Sequence, residues 1–231
     1  MKKNLVMFTS VFASLAILST GFAAWVISGG ETNDKTTFGD VVIETVTDNR
    51  HKMTITPADG VIAHAGKIVF GRPETQDIAS AWLKSDASDG VEKLSTFFKV
   101  TVTNAATANV ADIFTVHTLE ETTGAYATAA GAGYVGKLPD VEFVADASET
   151  AGKAEKFVAD KTTATSGVVY IRLKFSWGAH FGNTNPYIYY NAKGIDEKVV
   201  GDTTAGDDAV KSLTEVAKLK NAQFKLTLTT K

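Results

Sequence analysis

Residues 167–177 (GVVYIRLKFSW) alternate without interruption, with Val169, Ile171, Leu173, Phe175 and Trp177 in one phase and Tyr170, Arg172, Lys174 and Ser176 in the other. A helix would scatter these five apolar side chains around its circumference. A strand collects them on one face, which is the signature of an antiparallel sheet with one dry and one wet side. Phe224, Leu226 and Leu228 repeat the pattern against Lys225, Thr227 and Thr229, and Phe98, Val100 and Val102 do so within residues 95–103. Sheets with one apolar face need a second layer to cover them. Such a chain is constrained to be all-β with stacked sheets.

The remaining segments fit that frame. Residues 37–47 (TFGDVVIETVT) read as a first strand, and 51–56 alternate with Met53 and Ile55 on one face. Another apolar run covers 61–70, and 76–83 fits a short helix or a strand equally well. Residues 109–119 read as a less regular strand, 141–145 and 154–159 as short ones, and the small-residue stretch 122–136 as a loop. One segment departs from period two. Val210, Leu213, Val216 and Ala217 follow Asp207 and Asp208 at spacings of three and four, with lysines beyond, which predicts a short amphipathic helix over 207–219. The expected fold is a mainly antiparallel jelly-roll or Ig-like β-sandwich with this one helix near the C-terminus, preceded by an N-terminal signal helix.

That signal is read from Lys2 and Lys3, an uncharged apolar run over 5–27 and the small residues Gly21, Ala23 and Ala24. A basic start, an apolar stretch and an A-x-A-like step describe an export signal cut between Ala23 and Ala24. The run is also long enough to span a bilayer if retained, and membrane association is then expected only through this uncleaved N-terminus. The expected organisation is a signal over 1–23 and one domain over 24–231, secreted or held at the cell surface, with signal peptidase as a partner during export. Loss of Lys2 and Lys3 makes the formal net charge of −3 two units more negative. Basic and acidic residues are interspersed, so nucleic acid is not an expected partner. Without cysteine, an exported domain has no disulfides to hold it. With 44% hydrophobic content it must be held by core burial alone, by a bound metal, or by association with other subunits.

Motifs with chemical meaning are few. Gly131, Gly133 and Gly136 match G-x-G-x-x-G, but neither a strand before nor a helix after is expected to give a pyrophosphate site. His51, His64, His117 and His180 are scattered, and His51 and His117 fall on the polar phase of their strands, as solvated side chains would. No nucleophile context is present. The Asp-rich turns at 86–90 and 201–208 lack EF-hand spacing and read as turn chemistry, with a calcium ion at a loop left open. The chain is therefore expected to be no enzyme and to need no cofactor. The most distinctive stretch is 177–190, with Trp177, His180, Phe181, Asn185, Tyr187, Tyr189 and Tyr190 around a Gly/Asn/Pro turn. It is a candidate binding loop for a glycan or peptide. The preferred alternative is a loop pinned by its own aromatics.

Lys2-Lys3, the apolar run, Gly21-Phe22-Ala23-Ala24-Trp25 and Thr37-Phe38-Gly39 entering a strand resemble the exported TasA/camelysin-type proteins of Gram-positive bacteria. The resemblance covers about the first 45 residues. It implies a jelly-roll-like sandwich and, as in the biofilm-fibre members, assembly by strand addition with 25–47 as donor strand. It further implies self-association or contact with other cell-surface proteins. The peptidase activity described for camelysin-type members does not carry over, because no H-E-x-x-H is present. The expected function is a surface or matrix structural subunit. The alternatives are an adhesin or glycan-binding module and, less favoured, a metal-dependent peptidase.

Overall fold

Strands form at Thr32–Phe38 (β1), Val41–Thr47 (β2), Met53–Pro57 (β3), Ser95–Val102 (β4), Phe114–Glu121 (β5), Glu142–Val144 (β6), Val158–Ala159 (β7), Gly167–Lys174 (β8) and Phe224–Thr230 (β9). Helices occupy Val110–Ile113 (α1), Ala125–Gly131 (α2), Pro186–Ala192 (α3) and Thr204–Ala217 (α4). The computed structural model describes residues 32–38, 40–47, 50–58, 68, 70, 94–195 and 204–230. The signal region with Ala23 and Ala24, the segment 76–83, the turn 86–90, His64 and most of the run 61–70 lie outside the described residues.

The strands make two sheets, as an all-β chain requires. One runs β1-β2-β9-β5, the other β3-β4-β8-β6 with β7 also against β8. The ladders are antiparallel except for β2 on β9, which is parallel and pairs Val41 with Phe224 and Ile43 with Leu226. Alternation then decides the core. Val41, Ile43, Phe224, Leu226 and Leu228 from the first sheet join Met53, Phe98, Val100, Val169, Ile171 and Leu173 from the second in one buried cluster. Each fully buried side chain of this size contributes about 1.5–3 kcal/mol relative to exposure. Helix α4 adds Ala209, Leu213 and Val216 to the cluster, and the Ser212 hydroxyl on the same face contacts the Tyr190 hydroxyl of α3.

Several expected elements are corrected. The segment 37–47 is not one strand: Phe38 pairs with Val41, so it holds the turn and second arm of a hairpin. Asp40 anchors that turn, its carbonyl accepting from Phe224 N at 2.8 Å and its carboxylate from Ile68 N at 2.9 Å. Residues 109–119 begin as the helical turn α1 before becoming β5. The expected loop 122–136 contains α2, and the expected loop 186–190 lies in α3, where Pro186 occupies the first helical turn, a place that tolerates its missing N–H. The long alternating strand ends at Lys174 rather than Trp177. Beyond it Phe175 N donates to Leu94 O at 2.8 Å and Trp177 makes an isolated bridge to Val135. Of 154–159 only Val158–Ala159 is strand, and the C-terminal helix starts at Thr204, three residues before Asp207.

Candidate functional site

The aromatic stretch is mostly turned inward. Trp177, Phe181 and Tyr190 are 4%, 0% and 5% exposed. Phe181 is the hub, with the rings of Tyr134, Trp177, Tyr189 and Tyr190 centred 5.6–6.0 Å from it. Asn185 is half-buried, and its carbonyl accepts from Tyr189 N at 3.0 Å. The Tyr187 side chain lies outside the described residues. Water reaches His180, edge-on to Tyr134 at 4.8 Å, and part of Tyr189. Lys193 Nζ sits 4.1 Å from the Tyr189 ring centre and donates to its hydroxyl at 2.6 Å. Burial among the rings, and then the positive charge of Lys193, lower the His180 pKa from its ordinary value. Ile188 beside them is 51% exposed.

The glycine motif belongs to the same end of the molecule and has a backbone role. Helix α2 closes with Gly133 in the left-handed region at φ +76°. Gly133 N donates to Ala130 O at 3.0 Å, and Tyr134 N to Ala129 O at 2.9 Å. That pair of bonds is a Schellman closure, which favours glycine at this position. A Cβ on Gly136 would collide with the Ser176 side chain, and one on Gly178 with the Gly133 carbonyl. At the other end of α2 the Glu121 carboxylate accepts from the N–H groups of Thr123, Tyr126 and Ala127. Tyr126, buried beneath them, donates its hydroxyl to Lys137 O at 3.4 Å, and burial pushes the pKa of that hydroxyl up.

A second region was not singled out in the sequence. The ladder of β5 on β9 shifts register between Phe114 and Val116, leaving Thr115 as the extra residue of a bulge. Beyond it His117 pairs with Leu228, Leu119 with Leu226 and Glu121 with Phe224, partners that all belong to the buried row. His117 is therefore on the inner face of its strand, opposite to the polar phase expected for it, and it is still exposed. Among the described rings it meets the covering sheet at Phe143 of β6, and the space beside that contact is open. Beneath His117 a cleft of about 670 Å³ opens between α1 and β5 on one side and β6 on the other.

The floor of this cleft is aromatic. Phe114 stacks on Phe143 at 4.8 Å, and His117 meets Phe143 edge-on at 5.2 Å. Its rim carries Asp112, Asp140, Glu142 and Glu155 against Lys153 and Arg172. Arg172 is occupied: Nε donates to Glu142 at 2.8 Å, and Nη1 to the carbonyls of Glu149 at 2.9 Å and Ala151 at 3.2 Å. It thereby ties down the loop after β6. Asp112 accepts from Asn109 Nδ2 at 2.6 Å. Among the described residues no group of three His, Cys, Asp or Glu side chains is placed to hold a metal ion. No described helix is long and apolar enough to cross a membrane. The chain matches no family model, no curated protein and no solved structure.

Proposed function

We propose that this chain is an exported, non-enzymatic structural subunit of the cell surface or extracellular matrix. In this reading its two sheets form a jelly-roll-like sandwich, and subunits join by strand addition through the N-terminal segment. The observation that carries the reading is the seat of the β1–β2 hairpin. It is held to the rest of its sheet by one parallel ladder on β9, yet it sends Val41, Ile43 and Thr45 into the buried row. Removing it would open the β9 edge and uncover Leu226 and Leu228. An identical hairpin from a neighbouring copy satisfies the same backbone groups and buries the same side chains. The exchange therefore costs association and linker freedom, not contacts. Where each copy passes its hairpin on to the next instead of exchanging it with a single partner, the contact is head-to-tail and propagates.

The test is complementation in trans. A peptide of residues 24–49 is expected to bind a chain beginning at Arg50 in one-to-one stoichiometry by native mass spectrometry. A matching peptide carrying Ile43→Asp is expected to fail. Equal binding of both peptides, or of neither, would exclude strand addition through this hairpin.

A surface binding module is the second reading, favoured by exposed His180 and Ile188 beside the half-buried Tyr189. Trp177 is buried, so only substitutions at the exposed residues discriminate. Glycan-array binding abolished by Tyr189→Ala with unchanged melting temperature would support it.

A further inference from the structure

We propose that the edge of β5 that has no neighbouring strand among the described residues, with the cleft under its inner face, binds an extended basic segment of a partner protein. The segment adds to the sheet as a strand and lowers a lysine or arginine side chain into the cleft beside His117. The site lies on the opposite side of β9 from the N-terminal hairpin and does not depend on the assembly reading.

The edge supplies the backbone half of the site. Thr122 N donates to Gln223 O at 2.8 Å, so Thr122 belongs to a hydrogen-bonded pair of the ladder. Antiparallel pairs alternate between bonded and non-bonded. Counting back from Thr122 by twos, Glu120 and Thr118 direct their N–H and C=O groups at β9, while Leu119 and His117 turn theirs outward. Among the described residues β5 has no neighbour on that side. An incoming strand therefore finds donors and acceptors at strand spacing.

The cleft supplies the side-chain half. A residue of the added strand directly opposite His117 would have its Cβ about 4.5–5.5 Å away and point to the same inner face, into the cleft. There the stacked Phe114 and Phe143 rings offer an apolar bed for an aliphatic stem. Charge selects what sits at its tip. Arg172 is engaged by Glu142 and by backbone carbonyls, so its charge is already answered. Asp140 and Glu155 remain on the rim, against Lys153. The strand itself, FTVHTLEE, carries no lysine or arginine; its Glu121 is engaged at the start of α2 and its Glu120 lies across from Lys225 on the outer face, so Asp140 and Glu155 are the carboxylates that face an incoming side chain. An acidic strand is repelled at this edge and a basic one attracted, which is how edges acquire partner choice.

The probes are a short end-blocked threonine–valine peptide with one central lysine and its counterpart with glutamate in that place, titrated into the full-length chain. The lysine peptide is expected to bind about tenfold more tightly than the glutamate peptide, a difference of about 1.4 kcal/mol. It should also slow amide exchange at His117 and Leu119 in NMR spectra. In an Asp140→Asn/Glu155→Gln double variant, both changes on the surface, the preference is expected to fall to about twofold. Failure of the lysine peptide to bind at millimolar concentration would overturn the proposal. So would equal affinity for the two peptides, binding without slowed exchange at His117 and Leu119, or an unchanged preference in the double variant.

Discussion

Strands β2 and β5 flank the same partner and meet opposite fates. Leu226 of β9 stands between Ile43 on one side and Leu119 on the other, in one continuous row. Ile43 is 1% exposed, while Leu119 is only half-buried and His117, one pair further along, is open to water. The ladder is not the reason, since beyond the Thr115 bulge β5 pairs with β9 residue for residue, as β2 does on the other side. What differs is whether the second sheet lies beneath. Ile43 of β2 is fully enclosed, whereas β5 is covered at Phe114, which stacks on Phe143 of β6, and opens onto the cleft from His117 onward. Hydrogen bonding places a strand in a sheet, but the opposite layer decides how strongly that strand is held.

The largest effect that sharpens this contrast is in the core row. Ile43→Ala is expected to destabilise by about 2–5 kcal/mol, as buried aliphatic truncations do. Leu119→Ala is expected to cost about 1 kcal/mol or less, since much of its side chain already meets water. Urea unfolding of the two variants reads the difference. Equal losses would mean that β5 is as firmly packed as β2.

Next comes the carboxylate at the end of β5. Burial pushes the Glu121 pKa up, but the hydrogen bonds it accepts from Thr123, Tyr126 and Ala127 outweigh this, and the group titrates below its ordinary value of 4.5. A folded-state pKa below the unfolded one contributes stability that is complete above the ordinary carboxylate range and lost as pH falls through the depressed value. Glu121→Gln is expected to cost about 1 kcal/mol at neutral pH, as loss of a helix-capping group does. The gap to the unsubstituted chain should close under strongly acidic conditions, which thermal melts across pH measure.

A smaller effect concerns the wet face of the β2–β9 ladder, where Lys225 Nζ meets Glu44 at 2.7 Å. The hydrogen bond and negative charge of Glu44 raise the Lys225 pKa, so this contact is present at neutral pH and fades only as alkaline pH passes through the raised value. Both side chains are partly exposed and water screens the pair, so Lys225→Met is expected to leave the melting temperature nearly unchanged. Its signature is a salt dependence of the melt that is weaker in the variant than in the parent chain. Smallest of all, Val116→Thr on the outer face of β5, where the valine is 42% exposed, should fall within about 0.5 kcal/mol of the parent in the same melts.

The sequence made the sheets legible where each strand alternates over a covered face. The apolar rows of 95–102, 167–174 and 224–230 are the core rows observed. Legibility failed where one residue changes the parity. Thr115 is the extra residue of the bulge, and it moves His117 to the inner face while leaving the local composition ordinary. The turn before Val41 was hidden because apolar and β-branched residues lie on both sides of it. Helix α2 was hidden by its alanine, threonine and glycine content, which reads as a loop until the Glu121 cap and the Gly133 closure are seen together. The cleft was hidden for a different reason. It is made between β5 and β6, strands of different sheets, where the Phe114–Phe143 stack ends and the layers open. The aromatic stretch was visible, and the preferred reading of it, a segment pinned by its own aromatics, agrees with the burial of Trp177, Phe181 and Tyr190; what its Gly/Asn/Pro content hid was helix α3.

The proposed joint between subunits is the N-terminal hairpin, which joins its sheet through the β9 ladder and is buried by its inner row. Electron microscopy of a chain beginning at Ala24, beside one beginning at Arg50, tests it most directly. Filaments from the longer chain and none from the shorter are the expected result. Monomers from both, or filaments from the shorter chain, would contradict it.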